Sequence, residues 1–540
     1  MDRTPTTNAL FYGDNLEILR KYIADESVNL VYLDPPFNSN ATYNVLFKSP
    51  AGEGSQAQVE AFEDSWHWNI HAEEAFDQVI HSGNSDAAEM LRAMRSFLKE
   101  NDMMAYLAMM AARLLELNRV LKPTGTLYLH CDQTASHYLK ILLDAIFGTT
   151  NYRNEIIWKR SNPKSHISTN FPTCTDTILR YSKGARVIYH QPYQEHDPDY
   201  VESAYKYSDD GGVYRLLPLL NPNDNRPNLT YEFLGVTRVW RWTKERMKKA
   251  YQDGLVVQLK PGAVPQYKKY IQDSKGRTVT NCWTDIPQAA GNEALGYPTQ
   301  KPLALLERII AASSNEGDLV LDPFCGCGTT VHAAQKLNRR WIGIDITHLA
   351  IGLVKRRLID AFPTANFDIH GVPRDIGAAR ELALADKHQF QLWALSMIEA
   401  QPYKGGKKGA DTGIDGYLYF KPDGKTTERA IVEVKGGGNV SPQWVRALGQ
   451  VVERERAKLG ILLMLEDPTT TMRREAAAAG FYQPDMKFEG ERESRKYPKI
   501  QILTVEDLFD GKRPHTPYRD ESVFKKAKRE RGEHQNELDL

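Results

Sequence analysis

Cysteine is scarce here: five residues in 540, at Cys131, Cys174, Cys282, Cys325 and Cys327. So few thiols cannot staple a chain of this length, and Cys325-x-Cys327 has no second pair to complete a zinc site. Neither a disulfide framework nor a structural metal is therefore assigned. Also missing is any apolar run of the roughly 18 residues a membrane span needs, so no membrane partner is expected. The opening MDRTPTTNALFYGDN has no charged-then-apolar layout of a secretory signal, which makes the cytoplasm the expected compartment. A GxxxxGK[ST] loop is absent, so the chain carries no P-loop of its own. Net charge is absent as well, with 69 basic against 69 acidic residues, which excludes a protein that coats nucleic acid by overall charge.

What is present is ordinary globular composition, 41% hydrophobic and 26% charged, over a length that suggests about three or four domains. Charge is unevenly spread. Residues 1–110 hold 7 basic and 17 acidic residues, whereas residues 151–280 hold 21 basic and 13 acidic, so the middle segment is suited to facing phosphates. A buried strand is expected at Val28–Leu33, a helix-like stretch at Asn101–Leu121 behind an insertion over 40–100, a strand at Gly125–His130 and a helix at His137–Ile146. From about 151 to 295 Pro, Asn, Tyr, Trp and Arg interleave with little periodicity, as in a loop-rich recognition region. Strand, loop and helix follow at Asp318–Leu321, Asp322–Thr329 and Thr330–Leu337, then a strand Arg340–Asp345. A domain boundary is expected between about 362 and 385, a helix at Gln389–Glu399 and a Gly/Lys-rich turn at Lys404–Gly409. From Thr516 onward the chain reads as a charged, solvated tail.

Two stretches carry chemistry. The loop Asp322-Pro323-Phe324-Cys325-Gly326-Cys327-Gly328-Thr329 lies between strand and helix, so backbone N–H groups and a helix N-terminus can approach a polar ligand, unobstructed at Gly326 and Gly328. Asp345, 17 residues past Gly328, ends the next strand, where an acid can hold ribose hydroxyls. The missing third glycine favours S-adenosylmethionine over a pyrophosphate-linked dinucleotide. An ordinary strand-to-helix turn explains the glycine loop about as well when it is taken alone. The second stretch, Asp34-Pro35-Pro36-Phe37, ends the strand at 28–33. Two prolines fix φ and withhold N–H donors, so this loop offers carbonyls and the Asp34 carboxylate as a stiff acceptor set for an exocyclic amine. Phe37 is placed to stack on the base carrying that amine. An isolated DPP would more often be a capped turn with a surface Asp; the pairing with the glycine loop reverses those odds.

With DPPF at 34–37, FCGCGT at 324–329, YGDNLEIL at 12–19, LKPTGTLYLHCD at 121–132, NEIIWKR at 154–160 and YPTQKP at 297–302, the chain resembles the β-class DNA amino-methyltransferases over nearly all of 1–360. That resemblance implies an α/β, Rossmann-like S-adenosylmethionine-dependent methyltransferase fold over 1–365, with a loop-rich target-recognition region at about 160–290. It implies adenine-N6 as the acceptor, cytosine-N4 being the alternative, and double-stranded DNA as the partner. By the same likeness Asp14 lies near the cofactor adenine, and Pro298, Thr299, Gln300, Lys301 and Pro302 pack beside the cofactor. Arg238, Trp240, Arg241 and Lys244 interleave cations with aromatics, as phosphate contact and base stacking require; a solvated basic helix with core tryptophans beside it explains them equally well.

A third stretch lies beyond the boundary. Asp411-Thr412-Gly413-Ile414-Asp415-Gly416 precedes a strand, and Glu433 and Lys435 fall on one face of the next. Two carboxylates can hold a divalent cation while the lysine positions water, although an exposed charged hairpin explains E-x-K alone. The longer string resembles Mrr-type restriction endonucleases of the PD-(D/E)xK fold over roughly 385–482. This implies a smaller α/β domain at 380–515, with Asp415, Glu433 and Lys435 catalytic and Asp415 and Glu433 holding Mg2+, or a domain that binds DNA without cutting. A restriction-modification or defence role is thereby expected, and a homodimer or a restriction-system partner is left open. The remaining rival is an RNA or small-molecule methyltransferase.

Overall fold

The computed structural model describes residues 4–36, 42–48, 54–63, 67–161, 171–291, 293–295, 297, 299–403, 413–423, 425–484, 494–519 and 527–530, with the backbone path alone at 42–48, 54–63 and 518–519. Phe37, Pro298, Asp411 and the Lys404–Gly409 turn lie outside these residues. No helix among the described residues is long and apolar enough to cross a membrane.

Apolar runs that are buried on both faces build a nine-stranded sheet. Its order is Cys282–Trp283, Tyr152–Lys159, Thr175–Ser182, Leu121–Cys131, Val28–Leu33, Leu319–Asp322, Arg340–Asp345, Ala9–Tyr12 and Asp368–His370. Thr175–Ser182 runs antiparallel to both its neighbours, and the other pairings are parallel. Every residue of Val28–Leu33 is buried, as expected of a strand covered on both faces. The chain leaves Val28–Leu33 toward Leu121–Cys131 on one side and leaves Leu319–Asp322 toward Arg340–Asp345 on the other. The crevice at the carboxyl ends of these two central strands is thus a topological switch point, where ligands bind in such sheets.

The stretch expected to be an insertion is largely helical. Helices Ile70–Ile80 and Ser85–Leu98 pack with Asp102–Val120, each opened by an asparagine whose side chain accepts a backbone N–H: Asn69 from Ala72, Asn84 from Ala87 and Asn101 from Met104. Asp102–Val120 is buried around most of its circumference, and it carries Arg113 to the cleft described below.

Gln191–Thr280 forms a compact unit of its own. The irregular composition there conceals short antiparallel strands: Val256–Val257, Gln266–Tyr270, Gly212–Pro218 and Tyr207–Asp209 in one sheet, and the hairpin Thr230–Phe233 with Val236–Val239. Leu219, Phe233, Val236, Trp240, Met247 and Val256 are its core.

The C-terminal sheet has the order Gln401–Pro402, Gly416–Lys421, Glu428–Lys435, Leu459–Met464 and Ile500–Thr504, the last two joined in parallel. Alternation along Glu428–Lys435 sends Ala430, Val432 and Val434 to a core shared with Phe390 and Trp393, and Ile431 to one shared with Val445 and Leu448. Its first helix is Ile376–Ala385, a weakly periodic stretch that packs through Ala379 and Ala383, while Asp368–His370 still belongs to the large sheet. The expectation of a free tail from Thr516 is corrected in part. Tyr518–Arg519 pairs with Gly416–Lys421, and Glu530 is held by His332 and Lys336, because backbone pairing and ion pairs fix a polar segment that has no apolar period.

Gly328 caps the helix Thr329–Lys336 at φ 78°, and a Cβ there would come within 2.9 Å of Val354 Cγ2. Gly328→Ala therefore combines left-handed strain with overpacking and should cost about 1–3 kcal/mol. The thermal unfolding midpoint of the purified chain, expected to fall, measures it.

Candidate active sites

The crevice at the switch point is a cleft of about 780 Å³, within the range of ligand sites. Its walls come from the two central strand ends and the loops that follow them. Asp34, Pro35 and Pro36 stand on one side, and Asp322, Pro323, Phe324, Gly326 and Thr329 on the other. Asp14, Thr299, Lys301 and Asp345 line it as well. Gly328 sits just behind, at the cap of the helix whose first residue is Thr329.

Asp34 is held unsymmetrically. Its Oδ2 accepts from Lys301 Nζ, while its Oδ1 is buried with no hydrogen-bond partner among the described residues. A buried acceptor in that state costs free energy unless something fills the cleft and donates to it. Lys301, expected to touch the cofactor, is thus found on the DPP carboxylate. Its carbonyl oxygen accepts from Thr329 Oγ1 at 3.2 Å, which ties it to the glycine loop.

Asp345 accepts from Gly326 N at 2.9 Å through Oδ2, and from Thr347 N and Oγ1, both at 2.9 Å, through Oδ1. A carboxylate has about four acceptor sites, so these three bonds fix it and leave room for a ribose hydroxyl. Burial lifts Asp345 to about 6, against the bonds from Thr347 and Gly326 that lower it. Asp322 is more strongly affected: burial, with Asp34 and Asp345 nearby, raises it to about 7, although it accepts from Thr330 and from Phe324 N. Asp14 caps the helix Asn15–Tyr22 by accepting from Leu16 N at 2.8 Å, and it pairs with Arg113 Nη2 at 2.6 Å. Arg113 was not legible in the sequence, because nothing in an apolar helix marks one arginine as a cleft residue.

These features fit S-adenosylmethionine. The cleft is large enough, the glycines keep Cβ atoms off its floor, a helix N-terminus opens on it, and the lining Asp34 has one carboxylate oxygen without a hydrogen-bond partner among the described residues.

The basic, aromatic segment is only partly available. Arg238, Arg241 and Lys244 are exposed, Arg241 Nε donating to Leu220 O. Trp240 is completely buried, and its Nε1 donates to Tyr231 O at 2.8 Å. The expectation that Trp240 stacks on a base is therefore corrected: a small unit needs a large apolar residue at its centre, and Trp240 fills that place.

In the C-terminal sheet Asp415 Oδ2 accepts from Val434 N at 2.6 Å, and Oδ1 from Gln391 Nε2 at 3.2 Å. Glu433 and Lys435 do share a face, with Nζ 2.6 Å from Oε1. Among the described residues no group of three or more His, Cys, Asp or Glu could hold a metal. Mg2+, an ion that keeps several of its waters, would have to displace some of the partners just named to use the Asp415 and Glu433 carboxylates.

Residues 28–356 match the family described as DNA methylase of the N6/N4 type. The chain belongs to the N6/N4 DNA methylase family. Residues 382–482 match the Mrr catalytic family, described as restriction endonuclease. Similar proteins include the Type II methyltransferase M.EcaI of Enterobacter cloacae, 30% identical over 357 residues, covering 65% of this chain and 69% of that protein. The StyLTI Mod subunit of Salmonella typhimurium, a Type III restriction-modification enzyme, is 27% identical over 352 residues, covering 61% of this chain and 50% of the relative. A solved DNA modification methylase from Thermus thermophilus, complexed with S-adenosyl-L-methionine, aligns with 68% of this chain and all of its own, at 18% identity and a TM-score of 0.34. This N6/N4 methylase thus carries, over 382–482, a second domain that matches the Mrr-type restriction endonuclease family.

Asp322 binds a proton in the folded chain up to about pH 7 and in the unfolded chain only up to about 3.9. The folded state holds the extra proton between those limits, so stability should fall as pH rises from about 4 through about 7. Asp322→Asn, which keeps a carbonyl acceptor for Phe324 N, should flatten that fall and raise the melting midpoint at pH 8. Melting curves across pH 4–8 test it.

Proposed function

We propose that the N-terminal part of this methylase, about residues 1–365, methylates the N6 amine of adenine in double-stranded DNA. The observation that carries this reading is the Asp34 carboxylate at the cleft wall, stiffened by two prolines, with one oxygen tied down and the other without a hydrogen-bond partner among the described residues. When bound, S-adenosylmethionine would supply an electrophilic methyl group for the amine nitrogen, its sulfur keeping the bonding pair and the amine's proton passing to solvent. Asp345 and the Gly326 backbone orient the nucleoside end. Asp34 Oδ1 and the carbonyls of its loop accept the amine N–H bonds, which raises lone-pair density on nitrogen. A base inside a duplex cannot reach Asp34, so the target is flipped out. Arg238, Arg241 and Lys244 contact phosphates, and replacing all three should flatten the salt dependence of DNA binding. The name Mod subunit, borne by one relative, supports a further subunit as partner, and the cytoplasm is the compartment this role calls for.

For the C-terminal domain, about 380–515, we propose Mg2+-dependent cleavage of DNA phosphodiesters. Asp415 and Glu433 would hold the ion and Lys435 would orient the attacking water.

Asp34→Ala should lower methyl transfer by more than about 100-fold while leaving S-adenosylmethionine affinity nearly intact, read by radiolabelled transfer and calorimetry. Sequencing DNA from cells that express the chain should show N6-methyladenine; N4-methylcytosine would overturn the choice of base. Asp415→Ala and Lys435→Ala should each abolish metal-dependent cutting and spare methylation, measured with magnesium on methylated and unmethylated DNA. If the unaltered chain cuts neither substrate with any divalent metal, the domain binds DNA without cleaving it.

A further inference from the structure

Lys301 belongs to the YPTQKP stretch, yet its ammonium lies on a carboxylate of the chain itself. Both side chains are largely covered, Lys301 at 11% exposure and Asp34 at 16%, so solvent screens their attraction weakly. Pairing makes the two Asp34 oxygens inequivalent. The terminal torsion of an aspartate is broad and nearly two-fold, so without a tether Oδ1 and Oδ2 exchange places and the carboxylate plane turns freely. Lys301 Nζ holds Oδ2 and leaves Oδ1 buried and without a hydrogen-bond partner among the described residues, on a residue that lines the cleft. The lysine is itself anchored, its carbonyl taking the Thr329 hydroxyl and its ammonium lying 3.4 Å from Thr299 O.

Charge acts at the same contact. Among the described residues Tyr32, Tyr297, Cys131 and Asp322 also feel the Asp34 charge, and Lys301 is a cation in contact with it that acts on the buried Asp176 as well.

We propose that Lys301 is the positioning residue of the methyl-transfer site: it fixes the Asp34 carboxylate in one orientation, and it is not primarily a cofactor ligand. This rests on Asp34 being the amine acceptor.

The test uses the full chain with Lys301→Met, Lys301→Arg and Asp34→Asn. Lys301→Met should slow single-turnover methyl transfer to DNA by about 10- to 100-fold, the scale of a misplaced catalytic group. Its dissociation constant for S-adenosylmethionine, read by calorimetry, should stay within about threefold, since the orienting bonds to the nucleoside end lie elsewhere. Lys301→Arg should recover most of the rate. A tenfold or greater loss of cofactor affinity with the rate at saturating cofactor intact would make Lys301 a cofactor ligand and overturn the proposal, as would an arginine that rescues nothing. Infrared spectra of the cofactor-free chain give a readout independent of the substrate. The carboxylate stretching band that Asp34→Asn removes should shift in Lys301→Met relative to the unaltered chain, and an unshifted band would overturn the proposal. If the unaltered chain methylates no DNA base while this infrared difference is seen, the assignment of Asp34 as amine acceptor fails and the pairing stands.

Discussion

Everything at the methylation site depends on one strand pairing. Val320 lies opposite Leu30 and Leu321 opposite Val31 at the middle of the large sheet, so two segments 290 residues apart in sequence end side by side. Because register in a strand has a period of two, a slip of one residue would turn every side chain to the other face. It would separate the DPP carboxylate from the glycine loop. The long chain between them, with its helices and the Gln191–Thr280 unit, must close a large loop before the central pair forms. The continuous burial of Val28–Leu33 and Leu319–Asp322 is what offsets that entropy.

The cleft produced in this way is electrostatically tense. Asp34, Asp322 and Asp345 gather at neighbouring strand ends, and burial leaves Asp322 and Asp345 holding protons well above the usual carboxylate range. The surrounding structure relieves this locally, with backbone N–H groups from Phe324, Gly326 and Thr347 and with a lysine on Asp34. Such an arrangement sacrifices some stability for a site already organised before any ligand arrives. A cationic sulfonium is the kind of guest that an acidic cleft favours.

Much of this was legible in the sequence because it is local. The strand ends, the glycine turn, the acid after the next strand and the E-x-K face each follow from residue types within a few positions of one another. What escaped depends on tertiary packing. Helices Ile70–Ile80 and Ser85–Leu98 were hidden in a stretch rich in Gly, Ser and acids, and the fixing of Tyr518–Arg519 and Glu530 in a segment with no apolar period. Trp240 looked like a stacking platform because exposure cannot be read from a run of alternating cations and aromatics. The partner of Lys301 was likewise invisible, since Asp34 stands 267 positions away.

The helix Lys387–Met397 touches both modules. Gln389 accepts from His348 N, three residues past Asp345, while Gln391 donates to Asp415. Residues two apart on an α-helix point about 200° from each other, so the two amides leave nearly opposite sides of one rod. That rod cannot roll about its axis toward one partner without withdrawing from the other. The helix His348–Ala361 and the segment that carries Asp415 are therefore geared through this one rod, not merely strung together.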